Sequence, residues 1–250
     1  MTPRKELTSV GYAFLALNSE MVGGQKLADL DNRYGQASPV QNPRSNTLTT
    51  VDSGGNVGFD ISITIGTDGL PVVSYYDSTN GDLKVAKCGN AACSSENTLT
   101  TVDPGGNGGS YISITIGTDG LPVISYYDGD LKVAKCGNAS CSSGNTITTV
   151  DSGGDVGWCT SIAIGTDGLP VISYFDYTNF DLKVAHCGNA SCSSGNTITT
   201  IDSAGYVGQF ASITIGTDGL PVISYWDGIN DDLKVAKCAN PFCLNNWSRR

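Results

Sequence analysis

Histidine, methionine and basic charge are all scarce in this chain. One histidine and two methionines occur in 250 residues, and 14 lysines and arginines face 24 aspartates and glutamates, for a net charge of −10. A single histidine, His186, cannot build a Ser-His-Asp centre beside a nucleophile, and no G-x-S-x-G turn is present. The acidic balance argues against nucleic acid as a partner, because its phosphates would be repelled. No apolar run approaches the length of a membrane span. What the chain does hold, 39% hydrophobic residues and 32 glycines, suits a globular protein rich in turns.

One stretch organises the rest. ISITIGTDGLPVVSYYDSTNGDLKVAKCGNAAC, Ile61 to Cys93, returns at Ile112–Cys141, Ile162–Cys192 and, altered, Ser212–Cys243. Gly66, Gly117, Gly165 and Gly216 open the four GTDGLP turns at separations of 51, 48 and 51 residues, and the lead-ins from Asn46, Asn97, Asn145 and Asn196 keep the same spacing. A period of this size marks a unit that cannot bury its own apolar face and must stack on its copies. Ile61, Ile63 and Ile65 alternate with Ser62 and Thr64, as in a half-buried strand. Asp68-Gly69 is a hairpin signal, Pro71 suits the first position of the next strand, and Leu83–Lys87 and Thr47–Val51 supply two more. Helical spacing is missing inside the repeats. The expected fold is all-β: a β-propeller of four four-stranded blades, near residues 46–96, 97–144, 145–195 and 196–250. A solenoid would use shorter coils and an immunoglobulin-like sandwich longer units. With Ile61–Ile65 innermost, Thr47–Val51 would complete the last blade. Residues Asn245–Arg250 sit where a fifth outer strand should start, so closure competes with membership of a longer array.

Residues 1–45 stand outside the repeat. Leu7, Val10, Phe14, Leu17 and Met21 follow heptad spacing, which predicts a short helix, either oligomerising or packed on the propeller. A signal peptide is a third reading, with Arg4 and Lys5 before the apolar Leu7–Leu17. Gln36–Ser45, with Pro39 and Pro43, reads as a linker.

Eight of the nine cysteines form C-x4-C pairs at one place in each repeat: Cys88/Cys93, Cys136/Cys141, Cys187/Cys192 and Cys238/Cys243. The ends of so tight a turn lie within disulfide reach, and each bridge would contribute about 2 kcal/mol. Zinc fits less well, since each pair supplies two ligands and the pairs lie on separate blades. Neither a metal nor any other cofactor is expected. Disulfides imply an oxidising, extracellular or cell-surface location. Cys159 has no repeat counterpart; it is a buried thiol or a link between chains.

Differences between repeats concentrate on one face of the expected propeller. Before the inner strand stand Phe59-Asp60, Ser110-Tyr111, Trp158-Cys159 and Gln209-Phe210; after the second strand stand DSTNGD, DGD, DYTNFD and DGINDD. Phe59, Asp60, Asp77, Tyr111, Asp128, Trp158, Asp176, Phe210 and Asp227 are therefore the candidate ligand-binding residues, suited to a glycan or a surface protein. The alternative is drift in unrestrained turns. Asp77, Asp128, Asp176 and Asp227 could hold calcium, but D-x-x-N-x-D matches no strong calcium loop and Asx turns explain it more simply.

The segments GTDGLPVISYYD and DLKVAKC, across residues 46–243, resemble the β-propeller repeats of bacterial secreted proteins and are distantly similar to sialidase-type propellers. The S-x-D-x-G-x-x-W boxes of sialidases are absent, and all five arginines (Arg4, Arg33, Arg44, Arg249, Arg250) lie outside the blades. The words LTSVGYAFLALNSEMVGG resemble an LTSVPYAF-like segment of bacterial secreted and surface proteins, with Gly11 in place of the proline. These resemblances imply a non-catalytic extracellular scaffold that self-associates, a homo-oligomer through residues 1–45 and not an enzyme. A secreted lectin-like or adhesive module using the variable face is the alternative, and a glycoside-active enzyme a third reading, since Asp is abundant enough for paired carboxylates.

Overall fold

The computed structural model describes residues 21–22, 25–26, 46–104 and 109–244. The chain divides into two units, Met1–Thr47 and Leu48–Arg250. In the first, β1 (Met21–Val22) and β2 (Gln25–Lys26) form a small antiparallel pair. The helix expected to reach Met21 therefore does not: Met21 is in extended backbone, paired antiparallel with Lys26. Leu7, Val10, Phe14 and Leu17 lie outside the described residues.

The second unit is all-β and propeller-like. Its first sheet is β3 (Val57–Ile65), β4 (Pro71–Asp77), β5 (Asp82–Lys87) and β6 (Thr98–Asp103); its second is β7 (Ser110–Ile116), β8 (Pro122–Tyr127), β9 (Leu131–Lys135) and β10 (Thr146–Asp151). The third holds β11 (Val156–Ile164), β12 (Pro170–Asp176), β13 (Asp181–His186) and β14 (Thr197–Asp202), and the fourth β15 (Val207–Ile215), β16 (Pro221–Asp227) and β17 (Asp232–Lys237). All pairings are antiparallel, in sequence order. β3 packs beside β7, β7 beside β11 and β11 beside β15, which makes these the inner strands.

Local chemistry sets the strands. At the first turn the Gly66 amide donates to the Leu70 carbonyl, Asp68 Oδ1 accepts the Leu70 amide, and Gly69 takes φ 77°. Pro71, lacking an amide hydrogen, opens β4, and its carbonyl accepts the Cys88 amide. In the cysteine turn, Asn90 Oδ1 accepts the Ala92 and Ser94 amides while Asn97 accepts from Gly89 and donates to the Cys93 carbonyl. All four expected disulfides are formed, with Cα separations of 4.7–4.8 Å. His186 sits at that same end of β13, facing Asp167 across 2.9 Å.

No sheet owns a core. Each core lies between two sheets: Val72, Leu83 and Val85 of the first pack on Ile112, Ile114 and Tyr126 of the second. Val123, Leu131 and Val133 repeat the arrangement on Ile162 and Tyr174, and Val171, Leu182 and Val184 on Ile213 and Tyr225. Every such interface also carries a polar clasp. Asp103, Asp151 and Asp202, each ending an outer strand, accept from Tyr126, Tyr174 and Tyr225 of the following sheet at 2.7, 2.6 and 2.8 Å. Lys183 and Lys234 join the second and third clasps. In the second sheet the shortened DGD turn draws Lys132 to Asp128 instead, leaving it 3.7 Å from Asp103.

The expected closure by Thr47–Val51 does not form: among the described residues the fourth sheet has three strands, and residues 46–53 pair with none. Asp52 accounts for this. It is held by Tyr75 and Lys84 of the first sheet, both at 2.6 Å, which keeps its segment on the flank of that sheet.

Candidate functional site

Three of the four inner strands enter through a doubled register shift, and β7 through one: β3 pairs Val57 with Asp77, Phe59 with Tyr76, then Ser62 with Ser74. Such bulges bend a strand and re-aim its side chains. The re-aimed residues are Asp60, Tyr111, Cys159 and Phe210, with φ of 47°, 52°, 50° and 54°. That is left-handed backbone, unusual for residues with a side chain. Together with Ile61, Ile112, Thr160 and Ala211 they line an open recess of about 350 Å³ at the mouth of the inner strands.

From this mouth a belt of aromatic rings runs over the variable loops. Tyr111 meets Trp158 at 5.1 Å between ring centroids, and Trp158 stacks on Tyr177 at 4.7 Å with 16° between planes. Tyr177 meets Phe180 at 5.7 Å, Phe180 meets Tyr206 at 5.0 Å, and Tyr206 leads through Trp226 to Phe210. Polar anchors fix the rings. Asp155 Oδ1 accepts from the Tyr127 hydroxyl at 2.8 Å and from Trp158 Nε1 at 2.7 Å, and Gln209 Nε2 donates to the Tyr206 hydroxyl at 2.6 Å. Gly228 is required beside Tyr206, because a Cβ there would lie 2.4 Å from the ring.

Electrostatics divide the site. Burial, then the neighbouring Cys159 and Asp60, pushes the Tyr111 phenol up to about 12, a pH at which a thiol also carries charge. Burial also raises the Cys159 thiol, so this cysteine stays protonated at neutral pH. Burial, then the neighbouring Asp176, raises the Asp181 carboxyl, beside Phe180 at the far end of the belt. Among the described residues no cluster of three or more His, Cys, Asp or Glu could hold a metal ion.

Of the candidates chosen from sequence, Asp60, Tyr111, Trp158 and Phe210 come together at the mouth and on the belt. Phe59 is exposed on the first sheet, where no ring joins it to the belt. Asp77, Asp176 and Asp227 are buried and cap their own turns: Asp77 accepts the Thr79 and Asn80 amides and the Asn80 side chain, Asp227 repeats the pattern with Ile229 and Asn230, and Asp176 accepts the Asn179 amide and side chain. Asp128 is engaged with Lys132. Sequence reasoning missed Tyr127, Asp155, Tyr177, Phe180, Tyr206 and Trp226. A signal existed, since Tyr177 and Phe180 fill the loop that reads DSTNGD in the first repeat.

By sequence, neither a protein-family model nor a curated protein matches the chain. Solved structures do. A protein of unknown function from Dyadobacter fermentans is similar at TM-score 0.60 and 10% identity, over 79% of this chain and 69% of that one. An engineered GH43 glycoside hydrolase with endo-xylanase and exo-arabinofuranosidase activity matches at TM-score 0.48 and 13% identity, over 70% of this chain and 39% of its own. A GH43 β-xylosidase/α-arabinofuranosidase from a compost metagenome matches at 0.48 and 12%, over 80% and 78%. This chain thus spans well under half the length of the engineered enzyme. The likeness is one of fold, that of propeller-like sheet arrays, and does not extend to the sialidase-like repeats or to the N-terminal words.

It corrects two expectations. The non-catalytic structural scaffold, and the chain that is not an enzyme, are withdrawn, because the solved structures of similar fold include glycoside hydrolases. The absence of histidine, serine and arginine sets weighs against other reactions, and the abundance of Asp had left the glycoside-active reading open. Glycoside hydrolysis needs two carboxyl groups flanking a sugar, and counting other residue types does not test for them.

Proposed function

We propose that the chain is a glycoside-directed protein, a four-bladed propeller over residues 46–250 whose variable face takes a saccharide. The aromatic belt carries this reading. Sugar rings present apolar C–H faces and hydroxyl edges, so flat exposed rings beside carboxyl groups satisfy both. Trp158 supports Tyr177 by stacking on it and leaves Tyr177 41% exposed, with the Asp60 carboxyl at the mouth and Asp181 at the other end. A carboxyl whose surroundings raise its pKa is the kind that donates a proton to a leaving group, and Asp181 is the candidate for that role. Four disulfides support an oxidising, extracellular setting for such a protein.

The test follows tryptophan fluorescence on titration with a panel of plant and bacterial oligosaccharides, together with release of reducing ends. A saturable change is expected for at least one sugar class. Trp158→Ala should weaken it about tenfold by removing the ring that supports Tyr177, and Asp181→Asn should lower cleavage more than binding. Neither binding nor release with any sugar of the panel would overturn the reading.

A further inference from the structure

The three interfaces between successive sheets repeat one another closely enough to serve as templates. In each, a glycine at the start of an inner strand lies against a leucine of the preceding sheet. A Cβ on Gly109, Gly157 or Gly208 would come within 3.0, 2.8 or 2.7 Å of the Cα of Leu83, Leu131 or Leu182. The amides of Ile114, Ile162 and Ile213 donate to Ser62, Ser113 and Ser161 Oγ at 3.1, 3.2 and 3.1 Å. Gly120, Gly168 and Gly219 lie against Thr67, Thr118 and Thr166 of the neighbouring turn.

Half of a fourth such interface lies on each end of the array, unmatched. On the first sheet Ile61 and Ile63 are 60% and 62% exposed, whereas their equivalents Ile112 and Ile114 are 8% and 7%. On the fourth sheet Leu233 and Val235 are 81% and 61% exposed, whereas Leu182 and Val184 are fully buried. Gly58 meets only its own Ile61, and Gly69 meets nothing. Ser212, the equivalent of the three accepting serines, is exposed. Residues Leu48–Asp52 follow the sequence pattern of β6, β10 and β14 but pair with no strand, while among the described residues the fourth sheet has no such outer strand. A cleft of about 270 Å³ lies between Thr49–Asp52 and the open flank of the first sheet at Ile61, Val73 and Tyr75.

We propose that these two flanks are the halves of one interface, made head to tail between two copies of this chain. The Ile61/Ile63 flank of one copy covers Leu233 and Val235 of the other. Ile63 then donates to Ser212, Gly58 seats on Leu233, and Leu48–Asp52 of the first copy adds to β17 as the missing fourth strand. A second copy is the occupant because the surface wanted at each end is the one this chain carries at its opposite end, while within one copy the two flanks remain uncovered. The edge of β17 and the unpaired Leu48–Asp52 satisfy each other's backbone groups, which an apolar contact alone would not do.

Light scattering on the full chain tests this through complementation. The wild type should show masses above one chain that rise with concentration. Ile63→Asp, which blocks the head, and Val235→Asp, which blocks the tail, should each leave the chain as single copies. Mixed together they should give a one-to-one dimer through their intact flanks. Both positions are exposed in the single copy, and circular dichroism will report whether the variants keep their sheets. A wild type of single-chain mass throughout would overturn the proposal. So would association that both variants together leave undiminished, which would place the contact elsewhere, as in residues 1–45.

Discussion

Leu182 and Leu233 occupy the same place in two copies of D-L-K-V-A, yet one is fully buried and the other 81% exposed. Substituting each by alanine therefore measures what a neighbouring sheet contributes, with local sequence held constant. The change removes about three carbons, worth about 2.4 kcal/mol in transfer alone. The site of Leu182 cannot collapse to fill the space, because the backbone of Gly208 forms its far wall and moves only with β15. The cavity term then brings the expected cost of Leu182→Ala to about 3–4 kcal/mol. Leu233→Ala should cost under about 0.5 kcal/mol. Urea unfolding monitored by tryptophan fluorescence would show a midpoint lowered by roughly 1–2 M in the first case and scarcely moved in the second. The comparison belongs in the Ile63→Asp background and in dilute protein, where no second copy covers Leu233. Equal shifts for the two leucines, or a cost below about 1 kcal/mol at Leu182, would refute the placement of the core between sheets.

The Asp151 clasp sets an acid limit. Burial alone would raise this carboxyl, but hydrogen bonds from Lys183, Tyr174 and the Gly153 amide outweigh it and hold it below the usual carboxylate range. Its stabilisation is thus complete above the unfolded value of about 3.9 and is lost as pH falls through the lower folded value. Asp151→Asn should cost about 3 kcal/mol at neutral pH, the low end for a broken buried pair because Asp176 remains 3.6 Å from Lys183, and should flatten the acid limb of a stability–pH curve. Replacing Cys136 and Cys141 together by alanine should cost about 2 kcal/mol or more, since the bridge closes a short loop and lies in an inter-sheet core, as denaturation of the variant would show. Phe210→Gly should relieve left-handed strain and leave stability equal or higher, while weakening saccharide binding in the fluorescence titration.

The architecture was legible because four copies of one pattern agree. Alternation at Ile61–Ile65, the Asp68-Gly69 turn and Pro71 each named a strand or its boundary, and all appear where the spacing put them. The disulfides were equally legible, because C-x4-C closes within a single turn and needs no tertiary information. Closure was not. Whether Leu48–Asp52 reaches β17 depends on the angle between sheets, and that angle has no signature in an alternating strand. The site was half legible. Position in the repeat singled out Tyr111, Trp158 and Phe210, which share the belt, and also the acids after the second strand, which do not. A D-x-x-N motif can hold a ligand or cap its own turn, and burial of Asp77, Asp176 and Asp227 decides for the turn. Tyr206 and Asp155 precede the inner strands, in loops whose approach to the next sheet's loops only packing determines.

The backbone at the mouth separates structural need from function. Two positions near the start of each inner strand take positive φ: Gly58, Gly109, Gly157 and Gly208, then Asp60, Tyr111, Cys159 and Phe210. At Gly109, Gly157 and Gly208 glycine is compulsory, since any Cβ would strike the preceding sheet's leucine backbone. At the second position glycine would remove a strain of about 1–3 kcal/mol at each sheet, and a chain with 32 glycines has not used it there once. Four different side chains stand on four equivalent backbones instead: an acid, a phenol, a thiol and a phenyl ring. Packing between sheets does not account for the difference among Tyr111, Cys159 and Phe210, because the interfaces behind those three are alike. A mouth lined by four unlike groups lacks the symmetry of its scaffold, and that asymmetry is what an unsymmetrical ligand such as a saccharide requires.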